Sequence, residues 1–287
     1  MLFLVPLLLL AAPPAPRATL AFVGDINFRD LGTESGIFEA VRPTLDAADL
    51  AVGNLEGLLL DHPSDAYKNT RINITASSRF VATLPASGID VFGLANNHTW
   101  DHGADGLREH LGHLRDAGLA TFGAAADDAA ARAARRVTLP VGCVSFVPAT
   151  LKSNKKPPRD TAKAGVSAAT YAIDRLEPLI ERLRAERAAG CFVIAWVHAG
   201  KERAGIPPKA VATAYRALAQ AADLVVGHHP HVLEGVEVTA SATIAYSLGN
   251  FLFRNDDADK RRSGVMLAEL VKDSTVARRW PASRCAR

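Results

Sequence analysis

The chain has few cysteines and little net charge. Its 287 residues include three cysteines, Cys143, Cys191 and Cys285, which excludes a disulfide-rich scaffold and a structural zinc site built from thiolates. Cys143 and Cys191 lie in apolar, strand-like runs, so we expect two buried free thiols and a third thiol in the tail. The net charge of +3 is too small to indicate nucleic-acid binding, although it is compatible with an anionic partner.

The apolar run at the N-terminus is short. Residues 1–12 are apolar and prolines follow, which is too short for a membrane span but matches the apolar core of a signal peptide. No Lys or Arg precedes this run, and Ala12, Ala15 and Ala18 are all candidate cleavage positions. We therefore expect residues 1–18 to be a signal peptide or an uncleaved anchor, and the protein to be exported to the periplasm, the exterior or the membrane surface.

Neither an internal repeat nor a linker divides the remainder, so residues 19–287 are expected to form one domain. Apolar runs predict strands, several of which fall in the last third of the chain. The predicted strands are residues 19–23, 50–52, 89–92, 137–147, 191–197, 224–226, 232–238, 243–246 and 265–271. The predicted helices are residues 37–45, 107–117, 124–136, 171–189 and 207–221.

The turn after the strand at residues 89–92 carries the densest set of polar side chains, with Asn97, His98, Asp101 and His102 ahead of a predicted helix. Taken alone, it is most simply explained as turn and helix-cap chemistry, with Asp101 as the N-cap. Four other strand ends of similar character favour a functional site instead.

Together, these five strand ends carry acids, an amide and imidazoles, namely Asp25, Glu56, Asn97 with His98, His198, and His229 with His231. The carboxyl ends of parallel strands meet at one edge of a sheet. Carboxylate, amide oxygen and neutral imidazole suit divalent zinc, manganese or iron, whereas calcium requires more oxygen ligands. The sequence therefore predicts a divalent metal site with enough ligands for two ions.

Six motifs follow one another between residues 21 and 270. They are Gly24-Asp25 with Asn27, Asn54-Leu55-Glu56-Gly57, Ala95-Asn96-Asn97-His98 with Asp101 and Gly103, His198 with Gly200 and Glu202, Gly227 with His229-Pro230-His231, and Ser247-Leu248-Gly249-Asn250-Phe251. On these motifs the chain resembles the CapA family of poly-γ-glutamate capsule synthesis proteins, within the calcineurin-like metallophosphoesterase superfamily. The resemblance implies an α/β fold, a four-layer α/β/β/α sandwich with the ligands between the loop ends of its two sheets.

The resemblance also implies metal-binding roles. A first ion would be bound by Asp25 and His231, and a second by Asn97, His198 and His229. Glu56 stands where the superfamily has a bridging aspartate. Asn27 stands where many members have a metal-binding histidine, and because an amide binds transition ions more weakly than imidazole, the first site is expected to be weak or empty.

A catalytic role is implied for His98 as general acid. Asp101 is placed to orient the His98 ring and raise its basicity, and Glu202 is expected to do the same for His198. Contacts to the substrate or to the ligands are expected from Asn250, Lys68 and Arg71.

Two functions follow. The first is a metal-dependent hydrolase acting on a phosphoester or on an anionic polymer such as poly-γ-glutamate in capsule or envelope metabolism. The alternative is a non-catalytic, polymer-binding assembly or export component, a partner in a capsule-synthesis membrane complex. The basic segment at residues 151–163 is interpreted as a solvated loop in preference to a polymer-binding strip.

Overall fold

A computed structural model describes residues 15–32, 36–61, 73–152, 161–254, 257–272 and 284–286. Most of the predicted leader, the basic residues Lys68 and Arg71, and residues 153–160 of the basic segment lie outside these ranges. The first strand begins at Arg17, so Ala18 lies in a sheet. None of the helices in the described ranges has the length and apolar character needed to cross a bilayer.

The described residues form strands β1 to β17 and helices α1 to α6. The strands are β1 Arg17–Ile26, β2 Leu50–Leu55, β3 Leu58–Leu60, β4 Thr75–Ser77, β5 Val91–Gly93, β6 Ala120–Phe122, β7 Ala124–Ala125, β8 Arg135–Leu139, β9 Gly142–Thr150, β10 Ser167–Ala168, β11 Phe192–His198, β12 Leu224–His228, β13 Val236–Val238, β14 Thr243–Ala245, β15 Asn250–Leu252, β16 Val265–Val271 and β17 Arg284–Ala286. The helices are α1 Arg42–Asp46, α2 Gly103–Asp116, α3 Asp128–Arg132, α4 Thr161–Ala164, α5 Glu177–Ala188 and α6 Lys209–Ala219, with a 3₁₀ helix at Ser78–Ala86.

Two large sheets organise the chain. The first sheet has the strand order β17, β16, β1, β2, β5, β6, and β15 also pairs with β1. The second sheet has the order β13, β14, β12, β11, β9, β8. Within each sheet the central strands are parallel, whereas β16 in the first sheet and both edge strands of the second sheet run antiparallel to their neighbours.

The two sheets pack face to face through an apolar layer that includes Phe22 and Val52 of the first sheet and Phe146 and Trp196 of the second. The rings of Phe22 and Trp196 lie 6.2 Å apart, a distance at which aromatic pairs attract. On the outer face of the first sheet lie α2 and the 3₁₀ helix, and on that of the second lie α5 and α6. The predicted four-layer α/β/β/α sandwich is therefore confirmed.

Glycines permit close approach near the carboxyl ends of the strands. A Cβ atom on Gly93 would lie 2.3 Å from the indole nitrogen of Trp196, across the interface between the sheets. A Cβ atom on Gly24 would lie 1.9 Å from the carbonyl oxygen of Gly249. Since side chains cannot approach so closely, only glycine lets these segments pack at the observed distance.

Several predicted elements have different bounds in the structure. Residues 124–136 do not form one surface helix, because β7 pairs with β10 and only α3 is helical. Residues 137–147 are not one strand, because the chain reverses between β8 and β9 at Gly142, whose φ is +111°. The helix expected from residue 171 begins at Glu177, where Pro178 occupies the first turn as proline prefers.

A disulfide joins Cys143 to Cys191, so the expectation of two free thiols is wrong. Cys143 lies in β9 and Cys191 directly precedes β11, and the register of these neighbouring parallel strands places Val144 opposite Phe192. This pairing brings the Cα atoms of the cysteines to 4.5 Å, within the range that a disulfide spans. The bond ties together two strands that end at the functional site.

We expect the Cys143→Ala/Cys191→Ala variant to lose about 2–4 kcal/mol of unfolding free energy, because the disulfide restricts the unfolded chain. Denaturant unfolding measures this loss, with Cys285→Ala as the matched control that leaves stability unchanged. Thiol titration of the denatured protein should count one thiol before reduction and three after it. Three thiols without reduction would show that the bond is absent.

Candidate metal centre

The carboxyl ends of strands from both sheets deliver polar side chains to one place. Asp25 lies near the end of β1, Glu56 follows β2, Asn97 and His98 follow β5, His198 ends β11, and His229 and His231 follow β12. All of these side chains are buried. The structure therefore brings together the residues that the sequence places at five strand ends, but it draws them from two sheets rather than from one edge.

Glu56 lies at the centre of this group. Its Oε1 atom lies 3.7 Å from Nε2 of His98 and 3.8 Å from Nε2 of both His198 and His231. Neither carboxylate oxygen has a hydrogen-bond partner among the described residues. Burial raises the pKa of Glu56 to about 7, more than the neighbouring imidazoles lower it.

A buried carboxylate without hydrogen bonds is costly unless a cation compensates it. Ligand atoms of Glu56, His229 and His231 all lie within 4.8 Å of one another. Carboxylate and imidazole together are a donor set that divalent transition ions accept. The residues at this position therefore fit a metal ion.

The Asp25 carboxylate, unlike that of Glu56, accepts hydrogen bonds from the described residues. Its Oδ1 accepts a hydrogen bond of 2.7 Å from Nδ2 of Asn54, and its Oδ2 accepts one of 3.2 Å from the backbone of His229. Burial acts to raise the pKa of Asp25, but its hydrogen bond with His231 and the charges of the neighbouring histidines hold that pKa well below its usual value. Asp25 is thus a carboxylate, the form that ligates a metal.

His198 contacts two amides. Its Nε2 lies 2.6 Å from Oδ1 of Asn97, and its Nδ1 lies 3.3 Å from Nδ2 of Asn54. Burial holds the pKa of His198 well below its usual value, so the ring is neutral and has a lone pair to offer.

The turn after β12 positions two further imidazoles. His229 and His231 have φ angles of +101° and +59°, a backbone conformation that non-glycine residues seldom adopt outside functional sites. Nε2 of His229 lies 2.8 Å from Nζ of Lys152. Burial, followed by the Lys152 charge, lowers the pKa of His229 to about 3.

His231 is in the opposite electrostatic situation. Burial acts to lower its pKa, but the carboxylates of Glu56 and Asp25 outweigh this effect and raise the pKa to about 9. Its Nδ1 lies 2.9 Å from Oδ1 of Asn250, so Asn250 contacts a proposed ligand.

His98 and Asp101 form a close pair. Nδ1 of His98 lies 2.6 Å from Oδ2 of Asp101, which also accepts a hydrogen bond from the backbone of Ile74. The N-cap residue of α2 is His102, which makes no side-chain cap bond. Asp101 is therefore not the helix cap, and its contact is the one expected of a carboxylate that orients an imidazole.

Glu202 and Asn27 make contacts outside the group around Glu56. The ring nitrogens of His198 contact the amides described above, whereas the carboxylate of Glu202 pairs with Lys260 at 3.8 Å. The Oδ1 atom of Asn27 accepts a hydrogen bond from the backbone of Arg29, and its Nδ2 has no hydrogen-bond partner in the described part of the chain. Sequence reasoning missed Asn54, although this residue belongs to one of the six motifs.

Comparison with solved structures supports the fold class. The chain superposes on a novel phosphatase from Mycoplasma pneumoniae with a TM-score of 0.56 at 13% sequence identity, covering 95% of this chain and 93% of that one. At this identity the likeness shows the fold alone, and that fold is the predicted four-layer sandwich.

The family follows from the sequence comparison. The model of bacterial capsule synthesis protein PGA_cap matches residues 19–255, and the chain belongs to this family. Among its relatives, the PGA biosynthesis protein CapA of Bacillus subtilis is 29% identical over 265 residues, and the capsule biosynthesis protein CapA of Bacillus anthracis is 28% identical over 278 residues. These matches cover 89% and 91% of this chain, which spans 68% and 66% of the two relatives.

We expect the purified protein to bind a divalent transition ion through Glu56, Asn97, His198 and His229. A ligand that binds the folded state stabilises it, by about 2.7 kcal/mol at a hundred times its dissociation constant. Melting with and without added Mn²⁺ or Zn²⁺, together with elemental analysis, measures this effect.

The control for this experiment is Glu181→Gln, an exposed acid on α5. This variant should retain the metal, whereas Glu56→Gln should lower the metal content. Equal metal content in both variants would contradict the assignment of Glu56 as a ligand.

Proposed function

We propose that this chain is a metal-dependent hydrolase of anionic substrates, acting on a phosphoester or on an anionic polymer such as poly-γ-glutamate. The observation that carries the proposal is the buried Glu56 carboxylate, which has three imidazole nitrogens within 3.8 Å and no hydrogen bond in the described part of the chain. Membership of the capsule synthesis family favours an anionic polymer as substrate.

The ligands divide into two sets around Glu56. We assign Asp25 and His231 to a first ion, and Asn97, His198 and His229 to a second, with manganese, zinc or iron as the candidates. When bound, such ions act as Lewis acids that stabilise negative charge as it develops on the substrate. Asn27 contacts its own turn through Oδ1, which leaves the first set with fewer strong donors than the second.

His98 is assigned as the general acid. Asp101 accepts the hydrogen bond from Nδ1 of His98, so Nε2 is the nitrogen that faces Glu56 and the interior of the site. A proton held at Nε2 can be donated to the leaving group of the substrate. The Asp101 carboxylate, 2.6 Å from Nδ1, fixes the orientation of the His98 ring.

A non-catalytic role in polymer assembly or export is the alternative. It is favoured by the names of the relatives, which are called biosynthesis proteins. In that case the chain would bind polymer as a component of a capsule-synthesis membrane complex. A buried site of this composition favours the hydrolase, because a scaffold does not require imidazoles around an uncompensated carboxylate.

We further propose that the protein acts outside the cytoplasm. The disulfide between Cys143 and Cys191 supports this location, because such bonds persist in oxidising compartments. The apolar run at residues 1–12 supports it independently.

Replacing the general acid and replacing a metal ligand should affect different properties of the protein. His229→Ala removes a ligand and should lower both metal content and melting temperature. His98→Ala should retain metal and fold while turnover falls roughly 10²- to 10⁴-fold, the usual contribution of a positioned general acid. Phosphate-ester hydrolysis with and without chelator, alongside elemental analysis, measures both effects.

The control is Glu181→Ala, a replacement at an exposed position on α5 that should leave turnover and metal content unchanged. For His98→Ala, the loss should be smaller with a nitrophenyl ester than with an alkyl ester, since nitrophenolate leaves without a proton. If His98→Ala empties the site of metal, His98 is a ligand and the assignment is wrong. If wild type hydrolyses neither ester nor polymer, the binding role is favoured.

A further inference from the structure

Two lysines lie beside the turn that carries His229 and His231. Nζ of Lys152 lies 2.8 Å from Nε2 of His229. The carbonyl oxygen of Lys260 accepts a hydrogen bond of 3.0 Å from Asn250, whose Oδ1 contacts His231. One lysine therefore contacts the first histidine of the turn directly, and the other is linked to the second through Asn250.

The Lys260 side chain is largely buried and forms a long ion pair. The residue is 7% exposed, and its ion-pair partner in the described part of the chain is Glu202, at 3.8 Å. That distance exceeds a hydrogen bond, so the ammonium of Lys260 can donate hydrogen bonds to a further acceptor.

Lys152 is half-buried, and its ammonium faces an imidazole rather than a carboxylate. Lys152 thus contacts one proposed ligand and Lys260 is linked to another through Asn250, at a site proposed to hold two divalent ions, where Asp25 and Glu56 are the central carboxylates. The negative charges of these two carboxylates do not neutralise the positive charges of two divalent ions, and the lysines add further positive charge. Such a concentration of cations favours an anionic ligand.

We propose that Lys152 and Lys260 bind an oxyanion of the substrate that is not itself cleaved. This inference rests on the proposed function and narrows its substrate class to compounds that carry a carboxylate or phosphate beside the scissile bond. An ammonium is a point charge with rotatable donors, so it accepts either oxyanion. A chain of γ-linked glutamate offers a carboxylate at every residue, and a phosphorylated compound offers phosphate oxygens.

The test is equilibrium binding by calorimetry on the manganese-loaded protein, with inorganic phosphate and a γ-linked glutamate oligomer as separate probes. Lys152→Gln and Lys260→Gln should each weaken binding roughly tenfold to a hundredfold, as expected for loss of a charge-assisted hydrogen bond. The matched control is Lys209→Gln, which removes the same charge at an exposed position on α6. Binding by this variant should match wild type.

The two probes distinguish the source of the oxyanion, because the natural group should show the larger loss. Lys152→Arg, which retains the charge, should bind better than Lys152→Gln. The proposal that both lysines bind the oxyanion would be overturned by unchanged affinity in Lys152→Gln or Lys260→Gln. An equal loss of affinity in Lys209→Gln would overturn it as well. If thermal melting shows that Lys260→Gln is unfolded, Lys260→Met is used in its place. The Lys152 variants then still test whether a lysine binds the oxyanion.

Failure of the proposed hydrolysis is distinguishable from failure of this inference. Binding is measured without turnover, so weakened binding in the lysine variants of a protein that hydrolyses nothing would support the oxyanion site and overturn only the hydrolase. Normal hydrolysis with unchanged oxyanion binding in the lysine variants would support the hydrolase and overturn the oxyanion site. Metal content, measured in every variant, should be unchanged by either lysine replacement.

Discussion

The burial of the Glu56 carboxylate between two sheets is the constraint on which the site depends. Folding removes this group from water without providing a hydrogen-bond donor in the described part of the chain, and this costs free energy that apolar packing elsewhere must offset. Three imidazole nitrogens stand around it at 3.7 to 3.8 Å. This arrangement lowers the stability of the folded protein but favours the binding of a cation. Such a conflict between stability and function is typical of functional sites.

The sheets hold these groups in place because backbone segments pack unusually closely beneath them. Gly93 lies against Trp196 of the other sheet. Gly227 packs against the carbonyl group of Tyr246, whose oxygen would lie 2.0 Å from a Cβ atom added to the glycine. Strand ends fixed in this way give the attached side chains little freedom. Rigid placement of this kind is what a preorganised metal site requires.

Much of the fold and site could be predicted because the signals are local. An apolar run followed by Asp25 or His198 identifies a strand end from neighbouring residues alone. The disulfide could not be predicted, because Cys143 and Cys191 are 48 residues apart in sequence and only the order of strands brings them together. The composition of residues 151–163 predicts a solvated loop, because it does not show that the ammonium of Lys152 reaches His229.

Pairing across the first sheet has a consequence for how the chain folds. Strand β1 is synthesised long before two of its partners, β15 and β16, which follow it at a large sequence separation, with Asp25 opposite Asn250. Contacts of such long sequence separation form slowly, because a large loop must close before they contribute stability. The nascent chain therefore carries an apolar strand with one unpaired edge until β15 and β16 have been synthesised, which makes it a substrate for chaperones and prone to aggregation.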